Sequence, residues 1–351
     1  MNLKIKLAGR KIGVDFPPYI IAEMSANHNG DIQNAYKIIE MAKKAGADAL
    51  KMQTYTPDTL TIDCDSPDFQ LTRGPWAGRT LYDLYQEAYT PWDWHRPLFD
   101  YARKLDITLF STPFDETAVD LLEDLNAPAY KVASFEAIDL PLIKYVAQTA
   151  KPMIISTGMA NFQEITEAVD TARSNGCKEL VLLHCISGYP APIEQSNLRT
   201  IPDLSQRFSV PIGLSDHTLG TTAAIVGIAL GACVIEKHVT LSRQDSGVDS
   251  VFSLEPDELA LLCKEAKKGW SALGVAGYEQ KPVEKENIRF RRSIYVVEDI
   301  KKGEQFTLQN IRIIRPGFGL KPKYYPDILG QYALVGLPKG NPLTGNDISG
   351  A

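Results

Sequence analysis

Short apolar or β-branched runs recur along the chain as far as residue 238, and each is followed by a stretch with helical periodicity. Eight such runs can be counted, at residues 19–23, 49–53, 108–112, 129–133, 153–157, 180–185, 211–215 and 233–238. This alternation predicts βα units with a parallel sheet. Because eight units over roughly 250 residues match the size of a closed (β/α)8 barrel, the predicted fold class is α/β with a TIM barrel.

The segment between the first two runs illustrates the helical pattern. Asp31 can cap a helix that Gly46 can end, and one apolar face is formed by Ala35, Ile38, Ile39 and Ala42. No glycine-rich dinucleotide fingerprint follows the first run, which counts against a nicotinamide-binding Rossmann domain.

The pattern changes after a predicted helix at residues 259–273. Residues 274–287 are polar and turn-prone, and short β-like runs then alternate with turns at 294–297, 311–314 and 333–337. We therefore predict a barrel domain at 1–275, a linker at 276–290 and a small β-rich domain at 291–351. A domain of about 60 residues is marginal alone, so we expect it to pack against the barrel or a partner subunit.

A long insert, residues 54–94, separates the second and third predicted strands. Its aromatic residues include Trp76, Tyr82, Tyr85, Tyr89, Trp92 and Trp94. Loops that follow barrel strands build the active face, so we predict that this insert covers a substrate.

Composition narrows the class of protein. The 351 residues include 43 acidic and 37 basic side chains, and the net charge of -6 argues against nucleic-acid binding. No apolar run is long enough to cross a membrane, and the first residues lack a signal-peptide pattern. The five cysteines are scattered without zinc spacing, which favours reduced thiols in a cytoplasm. We expect a soluble cytoplasmic protein with neither nucleic-acid nor membrane partners.

Polar side chains collect at the C-terminal ends of the predicted strands, where barrel proteins place their function. They are Glu23, Lys51, Gln53, Thr112, Lys131, Ser134, Glu136, Ser156, Ser187, Tyr189, Ser215, His217, Glu236 and His238. Two lysines among converging hydroxyls can hold a phosphate and a carboxylate, the pattern expected for phosphoenolpyruvate. A strand-end lysine, Lys51 or Lys131, also fits a Schiff-base nucleophile of a class I aldolase.

Two histidines lie at neighbouring strand ends. His217 follows the seventh run and His238 ends the eighth, so adjacent strands present both imidazoles together. Either histidine alone is better explained as a hydrogen-bonded structural residue, but the pair suits a borderline divalent metal.

These positions make the chain resemble the sialic acid synthase family across essentially its full length. The matching segments are residues 21–28 (IAEMSANH), 51–53 (KMQ), 130–134 (YKVAS), 155–158 (ISTG), 213–217 (GLSDH) and 235–238 (IEKH). The C-terminal residues 291–351 are similar to the antifreeze-like (SAF) domain of these synthases. Segments 55–58 (YTPD), 81–85 (LYDLY), 90–95 (TPWDWH) and 315–320 (RPGFGL) look most like the pseudaminic acid synthase branch.

The resemblance implies a reaction and a set of roles. Phosphoenolpyruvate would condense with 2,4-diacetamido-2,4,6-trideoxy-altrose and water to give pseudaminic acid and phosphate, with a divalent metal ion, Mn2+, Mg2+ or Co2+, as cofactor. Glu23 would be the acid/base group, and His217 and His238 would bind the metal. Phosphoenolpyruvate would contact Lys51, Gln53, Thr112, Lys131, Ser134, Ser156, Ser187 and Ser215, and the sugar would contact Glu136, Tyr189, Asp249 and Arg315. The family also implies a domain-swapped homodimer in which Arg315 reaches the neighbouring subunit's site.

Ser187 departs from one branch of the family. N-acetylneuraminate synthases typically place Asn two residues before the matched Tyr189, and we interpret Ser187 as a branch difference in the pocket. N-acetylneuraminate or legionaminate synthesis is the alternative within the family. Outside it, the alternatives are the class I aldolase and a catalytically idle sugar-binding protein.

Overall fold

The computed structural model describes residues 3–74, 76–245 and 247–349. Its strands are β1 (Lys4–Leu7), β2 (Arg10–Gly13), β3 (Tyr19–Glu23), β4 (Ala49–Thr54), β5 (Gln70–Leu71), β6 (Arg79–Thr80), β7 (Thr108–Pro113), β8 (Tyr130–Val132), β9 (Met153–Ser156), β10 (Leu180–Cys185), β11 (Ile212–Asp216), β12 (Val234–His238), β13 (Ser293–Val296) and β14 (Ile311–Ile314). Its α-helices are α1 (Ile32–Ala45), α2 (Pro57–Leu60), α3 (Leu81–Ala88), α4 (Trp92–Lys104), α5 (Glu116–Asp124), α6 (Leu140–Gln148), α7 (Phe162–Ser174), α8 (Thr200–Phe208), α9 (Thr222–Ala229), α10 (Pro256–Leu273) and α11 (Tyr325–Ile328).

The chain divides into two compact units between Gly274 and Val275. In the first unit, eight parallel strands close into a barrel in the order β3, β4, β7, β8, β9, β10, β11 and β12. The barrel closes where β12 pairs with β3, with His238 opposite Glu23. The (β/α)8 prediction is confirmed, and each of the eight predicted runs matches a barrel strand to within one residue at either end.

Alternation along the barrel strands sorts their side chains into two cores. Residues that point inward, such as Ile21 and Val181, pack with Leu7 and Ile12 of the β1–β2 hairpin. Residues that point outward pack against the surrounding helices in a larger cluster. The inner cluster sits near the strand starts, so the hairpin fills the N-terminal end of the barrel and leaves the opposite end open to ligands.

Helix α1 begins and ends where the sequence predicts. The Asp31 carboxylate accepts a hydrogen bond from the Gln33 backbone N–H at 2.8 Å, which satisfies one of the unpaired donors of the first turn. Gly46 adopts a left-handed conformation, with φ of 91°, that favours glycine. The predicted apolar face, which includes Ile38 and Ile39, is fully buried.

The insert between β4 and β7 folds into α2, the short β5–β6 hairpin, α3 and the start of α4. Helix α4 begins at Trp92, and its His95 is buried and hydrogen-bonded to Thr54 at 2.8 Å. Within the ranges that the structure describes, no helix is long and apolar enough to cross a membrane.

The C-terminal unit is built around the antiparallel pair β13 and β14, in which Ile294 lies opposite Ile313. The predicted strand at 333–337 is wrong. Ala333 instead forms an isolated bridge with Ile348, and Leu337 forms one with Ile300. Because the two ends of this segment pair with different parts of the chain, they do not form one continuous strand. Part of the predicted linker is a 3-10 helix, Pro282–Phe290.

Candidate active site

A cavity opens at the C-terminal ends of the barrel strands. The predicted site residues that line it are Glu23, Lys51, Gln53, Thr112, Lys131, Ser134, Glu136, Ser156, Tyr189, Ser215, His217, His238 and Asp249. Ser187 is not among the lining residues, but its Oγ lies 2.8 Å from Ser134 Oγ. Arg315 belongs to the C-terminal unit, and its role stays a prediction.

Strand β12 shows how local geometry selects the lining residues. Side chains alternate across a strand, so Glu236 and His238 share the inward face while Ile235 packs outward. Lys237, also outward, forms a buried ion pair with Asp216 at 2.9 Å. Glu236 was predicted only to lie at a strand end, although period-two alternation already pairs it with His238 on the inward face.

Four buried charged residues form what we call the charged floor of the cavity: Glu23, Lys51, Lys131 and Glu236. Lys51 Nζ lies 2.7 Å from Glu23 Oε2 and donates to Thr112 Oγ1 at 3.1 Å. Glu236 Oε1 lies 3.6 Å from Lys51 Nζ and 3.4 Å from Lys131 Nζ. One carboxylate therefore holds both lysines at the base of the cavity.

Burial and pairing compete in setting the protonation of the charged floor. Burial raises the pKa of Glu23, and the nearby Glu236 adds to that shift while Lys51 opposes it. Burial opposes ionisation of Glu236, but Lys131 and Lys51 lower its pKa below the ordinary value. Burial likewise opposes the charge on Lys51, yet Glu23 and Glu236 raise its pKa. The pKa values of the two carboxyl groups are therefore shifted in opposite directions. This pattern is typical of sites in which one carboxyl group acts as an acid while the other stays charged.

A chain of hydrogen bonds links Glu23 to Asp249. Gln53 Nε2 donates to Glu23 Oε1 and to Ser25 Oγ, each at 3.0 Å. Ser25 donates in turn to Asp249 Oδ2 at 2.5 Å. Ser25 was missed by the sequence analysis, because a serine in a loop carries no signal of its own.

The two predicted metal ligands lie together, with ring centroids 5.4 Å apart. His217 Nδ1 lies 2.9 Å from the carbonyl oxygen of Ile186, a contact that orients the ring in the way that metal-binding histidines are held by a hydrogen bond at their other nitrogen. His238 Nδ1 is buried without a hydrogen-bond partner among the described residues, and it lies 3.8 Å from Asp249 Oδ2. Burial lowers the pKa of both rings, which favours the neutral imidazole that binds metals.

These donors fit a divalent cation that keeps open positions. The part of the chain that the structure describes brings together no cluster of three or more His, Cys, Asp or Glu side chains with metal-binding geometry. Two imidazoles would therefore leave the remaining coordination positions to water or substrate, as catalytic metal sites require.

Several lining atoms are buried without a hydrogen-bond partner among the described residues. They include Glu136 Oε2, Ser156 Oγ, Glu236 Oε2 and His238 Nδ1. Buried polar atoms are rarely left unpaired, so their convergence on one cavity indicates that a polar ligand completes the site.

Part of the aromatic insert covers the cavity. Trp76 lines it and donates from Nε1 to the carbonyl oxygen of Val248 at 3.0 Å. Its ring packs against Tyr189 with centroids 5.8 Å apart and the ring planes tilted by 49°. Tyr189 in turn lies 4.4 Å from His217, ring to ring. Trp76 thus connects the insert to the loop after β12, next to the paired histidines.

The fold and the site define a (β/α)8 barrel protein that handles a polar ligand at the C-terminal ends of its strands. The chain belongs to the NeuB family: the sequence model of that family matches residues 38–278, and the SAF domain model matches residues 291–349. The resemblance and the SAF assignment of the C-terminal region are confirmed.

Comparison with known proteins adds close relatives. A pseudaminic acid synthase of Helicobacter pylori is 43% identical, over 95% of this chain and 98% of its own. An N,N'-diacetyllegionaminic acid synthase of Campylobacter jejuni is 38% identical, over 90% and 95%. Among solved structures, an N-acetylneuraminic acid synthetase from Leptospira borgpetersenii superposes with a TM-score of 0.74, over 83% of this chain and 97% of that one. The two sequences are 32% identical.

Proposed function

We propose that this protein is a pseudaminic acid synthase, which condenses phosphoenolpyruvate with 2,4-diacetamido-2,4,6-trideoxy-altrose and water to give pseudaminic acid and phosphate. The observation that carries the proposal is the charged floor, in which two buried lysines share one carboxylate beneath unpaired polar atoms. The pseudaminic branch is supported by the 43% identity to the Helicobacter pylori synthase, against 38% to the legionaminic acid synthase.

Phosphoenolpyruvate would lie on the charged floor. Lys51 and Lys131 supply the positive charge, and Thr112, Ser134, Ser156 and Ser215 supply hydroxyl donors around them. Ser156 Oγ has no partner among the described residues and is free to donate to phosphate or carboxylate. Gln53 is already bonded to Glu23 and Ser25, so we infer that it orients Glu23 as well as contacting phosphoenolpyruvate. Ser187 would act through Ser134.

The sugar would bind above this layer, against Glu136, Tyr189 and Asp249. C3 of phosphoenolpyruvate forms the new bond to the aldehyde carbon, water adds at C2, and phosphate leaves. Burial raises the pKa of Glu23, so this carboxyl group can give a proton to the aldehyde oxygen and take one from the attacking water. His217 and His238 would hold Mn2+, Mg2+ or Co2+, which would supply Lewis-acid polarisation of the aldehyde when bound.

The C-terminal unit would complete the site in a homodimer. We propose that each chain donates Arg315 to its partner's site, where the guanidinium contacts an acyl group of the sugar. Light scattering tests the assembly, and a single monomeric species under assay conditions would overturn the cross-subunit role of Arg315.

The decisive experiment measures phosphate release from phosphoenolpyruvate by the purified protein with a divalent metal. The altrose sugar is compared with N-acetylmannosamine, and EDTA provides the control for metal. Metal-dependent release with the altrose sugar is expected. Release with N-acetylmannosamine instead would move the chain to neuraminate synthesis.

The aldolase alternative makes the opposite prediction. A Schiff base on Lys51 or Lys131 would be trapped by borohydride with pyruvate and would be indifferent to EDTA. Lys51 is paired with Glu23 at 2.7 Å, which leaves Lys131 as the better nucleophile for that chemistry. Trapping on Lys131 without phosphate release would overturn the synthase proposal.

A further inference from the structure

One side of the cavity is lined mainly by carbon atoms, and among the described residues its only polar side-chain atoms are the hydroxyls of two tyrosines. We call it the apolar wall, and it consists of Leu60, Leu84, Ala88 and Phe114, backed by the rings of Tyr55 and Tyr85. Three of its members come from α2 and α3 of the insert, whereas Phe114 directly follows β7. The roles proposed above for the strand-end residues leave this surface without a ligand.

The apolar wall is held in place by ring packing. Tyr55 meets Phe114 edge to face with centroids 5.2 Å apart, and it meets Tyr85 in the same way at 5.8 Å. Trp92 Nε1 donates to the carbonyl oxygen of Tyr55 at 3.1 Å, which fixes the segment that leads into α2. Leu84 is only 6% exposed, on the cavity side of α3. The surface is thus preformed rather than a loose loop.

The order of strands places the apolar wall across the barrel from the paired histidines. β7 lies four strands from β11 in the closed barrel of eight, which is the opposite side. Phe114 follows β7, whereas His217 follows β11. Phe114 comes just beyond the end of β7, after Thr112, and Tyr55 comes just beyond the end of β4, after Gln53, so the apolar wall stands above the charged floor. A sugar whose aldehyde carbon lies at the histidines would extend its far end toward this surface.

We propose that the apolar wall is the binding site for the C6 end of the sugar and that it selects a 6-deoxy substrate, whose last carbon is a methyl group. This inference rests on the proposed function and deepens it. A methyl group buries well against Leu60, Leu84 and Ala88. A C6 hydroxyl would lose its hydrogen bonds to water at a surface whose aliphatic side chains cannot replace them.

The test compares kcat/KM for 2,4-diacetamido-2,4,6-trideoxy-altrose and for its 6-hydroxy analogue. The wild-type protein should prefer the 6-deoxy sugar by about 10 to 100-fold, the range for a pocket that faces one added hydroxyl. Leu84→Asn should reduce that ratio by roughly tenfold, because the amide can bond the added hydroxyl. Leu81→Asn is the matched control on the same helix, since Leu81 does not line the cavity, and it should keep the wild-type ratio.

The possible outcomes distinguish the apolar-wall inference from the proposed function. A wild-type ratio near one, or an unchanged ratio in Leu84→Asn with a native circular dichroism spectrum, would overturn the apolar-wall inference alone. If Leu84→Asn does not fold, Ala88→Ser adds a hydroxyl at the half-buried neighbour on the same face, and its ratio decides instead. Absence of phosphate release with either altrose sugar in the wild-type protein would overturn the proposed function, and this inference with it.

Discussion

The charged floor and the apolar wall face the same cavity but are built by different means. The charged floor projects from barrel strands, and its position follows from period-two alternation and parallel register, as where Glu23 lies opposite Lys51. The apolar wall depends on a helix of the insert that packs over the mouth. The barrel strands therefore determine the positions of the charged side chains, whereas the insert can vary independently and determine which sugar the cavity accepts.

The strongest way to break the charged floor is Lys51→Met. This change leaves Glu23 and Glu236 buried without their shared cation, and removing one partner of a buried ion pair costs about 3–5 kcal/mol. Urea unfolding should show this loss of stability, and phosphate release should fall below detection in the protein that remains folded.

Lys151→Met is the control for that prediction. Lys151 pairs with Glu123 at 2.6 Å on the partly exposed outside of the barrel. Exposed ion pairs contribute at most about 1 kcal/mol, so this variant should keep nearly all of its stability and its activity. Equal losses in the two variants would contradict the special role of the buried network.

Glu136 lies between the two regions and provides a pH test. Burial, together with Asp139, raises its pKa from 4.5 to about 7, although its own backbone N–H and Lys131 oppose the shift. Between pH 4.5 and 7 the folded protein holds a proton that the unfolded chain releases, so stability should fall as pH rises through that window. The total fall should approach about 3 kcal/mol, since one pKa unit corresponds to about 1.4 kcal/mol.

Glu136→Gln should lessen this slope, as measured by urea unfolding at several pH values, because Glu23, whose pKa burial also raises, keeps its own contribution. Tyr85 also lies near this carboxyl group and should stay neutral throughout the window, because burial raises its pKa above the ordinary value. Glu167→Gln, on the exposed surface of α7, is the matched control and should keep the wild-type slope. A slope in Glu136→Gln as steep as in the wild-type protein would assign the titration to another group.

Trp76→Ala separates sugar binding from phosphoenolpyruvate binding. The indole bridges the insert to Val248 and Tyr189 on the sugar side of the cavity. Its loss should raise KM for the sugar about tenfold, equivalent to about 1.4 kcal/mol, and leave KM for phosphoenolpyruvate unchanged. Trp76→Phe keeps a ring against Tyr189 and should lose less. A rise in KM for phosphoenolpyruvate alone would contradict this division of the cavity.

The sequence predicted the strand-end residues of the site better than the contacts of the insert, for a physical reason. Strand ends of a closed barrel meet at one face whatever their sequence separation, so Lys51, Lys131 and His238 could be brought together without coordinates. The contact of Trp76 with Val248 joins residues 172 positions apart, and no periodicity encodes it. Glu236 could have been assigned from alternation, but its bridging of two lysines depends on distances that only the fold supplies.

The smallest expected effect concerns the N-cap of α1, which lies outside both the charged floor and the apolar wall. It tests whether a change that affects only stability leaves catalysis intact. Asp31 caps α1, and its carboxylate bonds to the Gln33 N–H at 2.8 Å on the exposed surface. Asp31→Ala should cost about 1 kcal/mol in unfolding free energy, the usual contribution of an N-cap. Asp31→Asn keeps an acceptor and should restore most of that stability.

Both variants should retain wild-type kcat and KM for each substrate, because Asp31 does not line the cavity. A catalytic defect in Asp31→Ala that Asp31→Asn does not rescue would mean that the loop after β3, which carries Ser25, depends on this cap for its position.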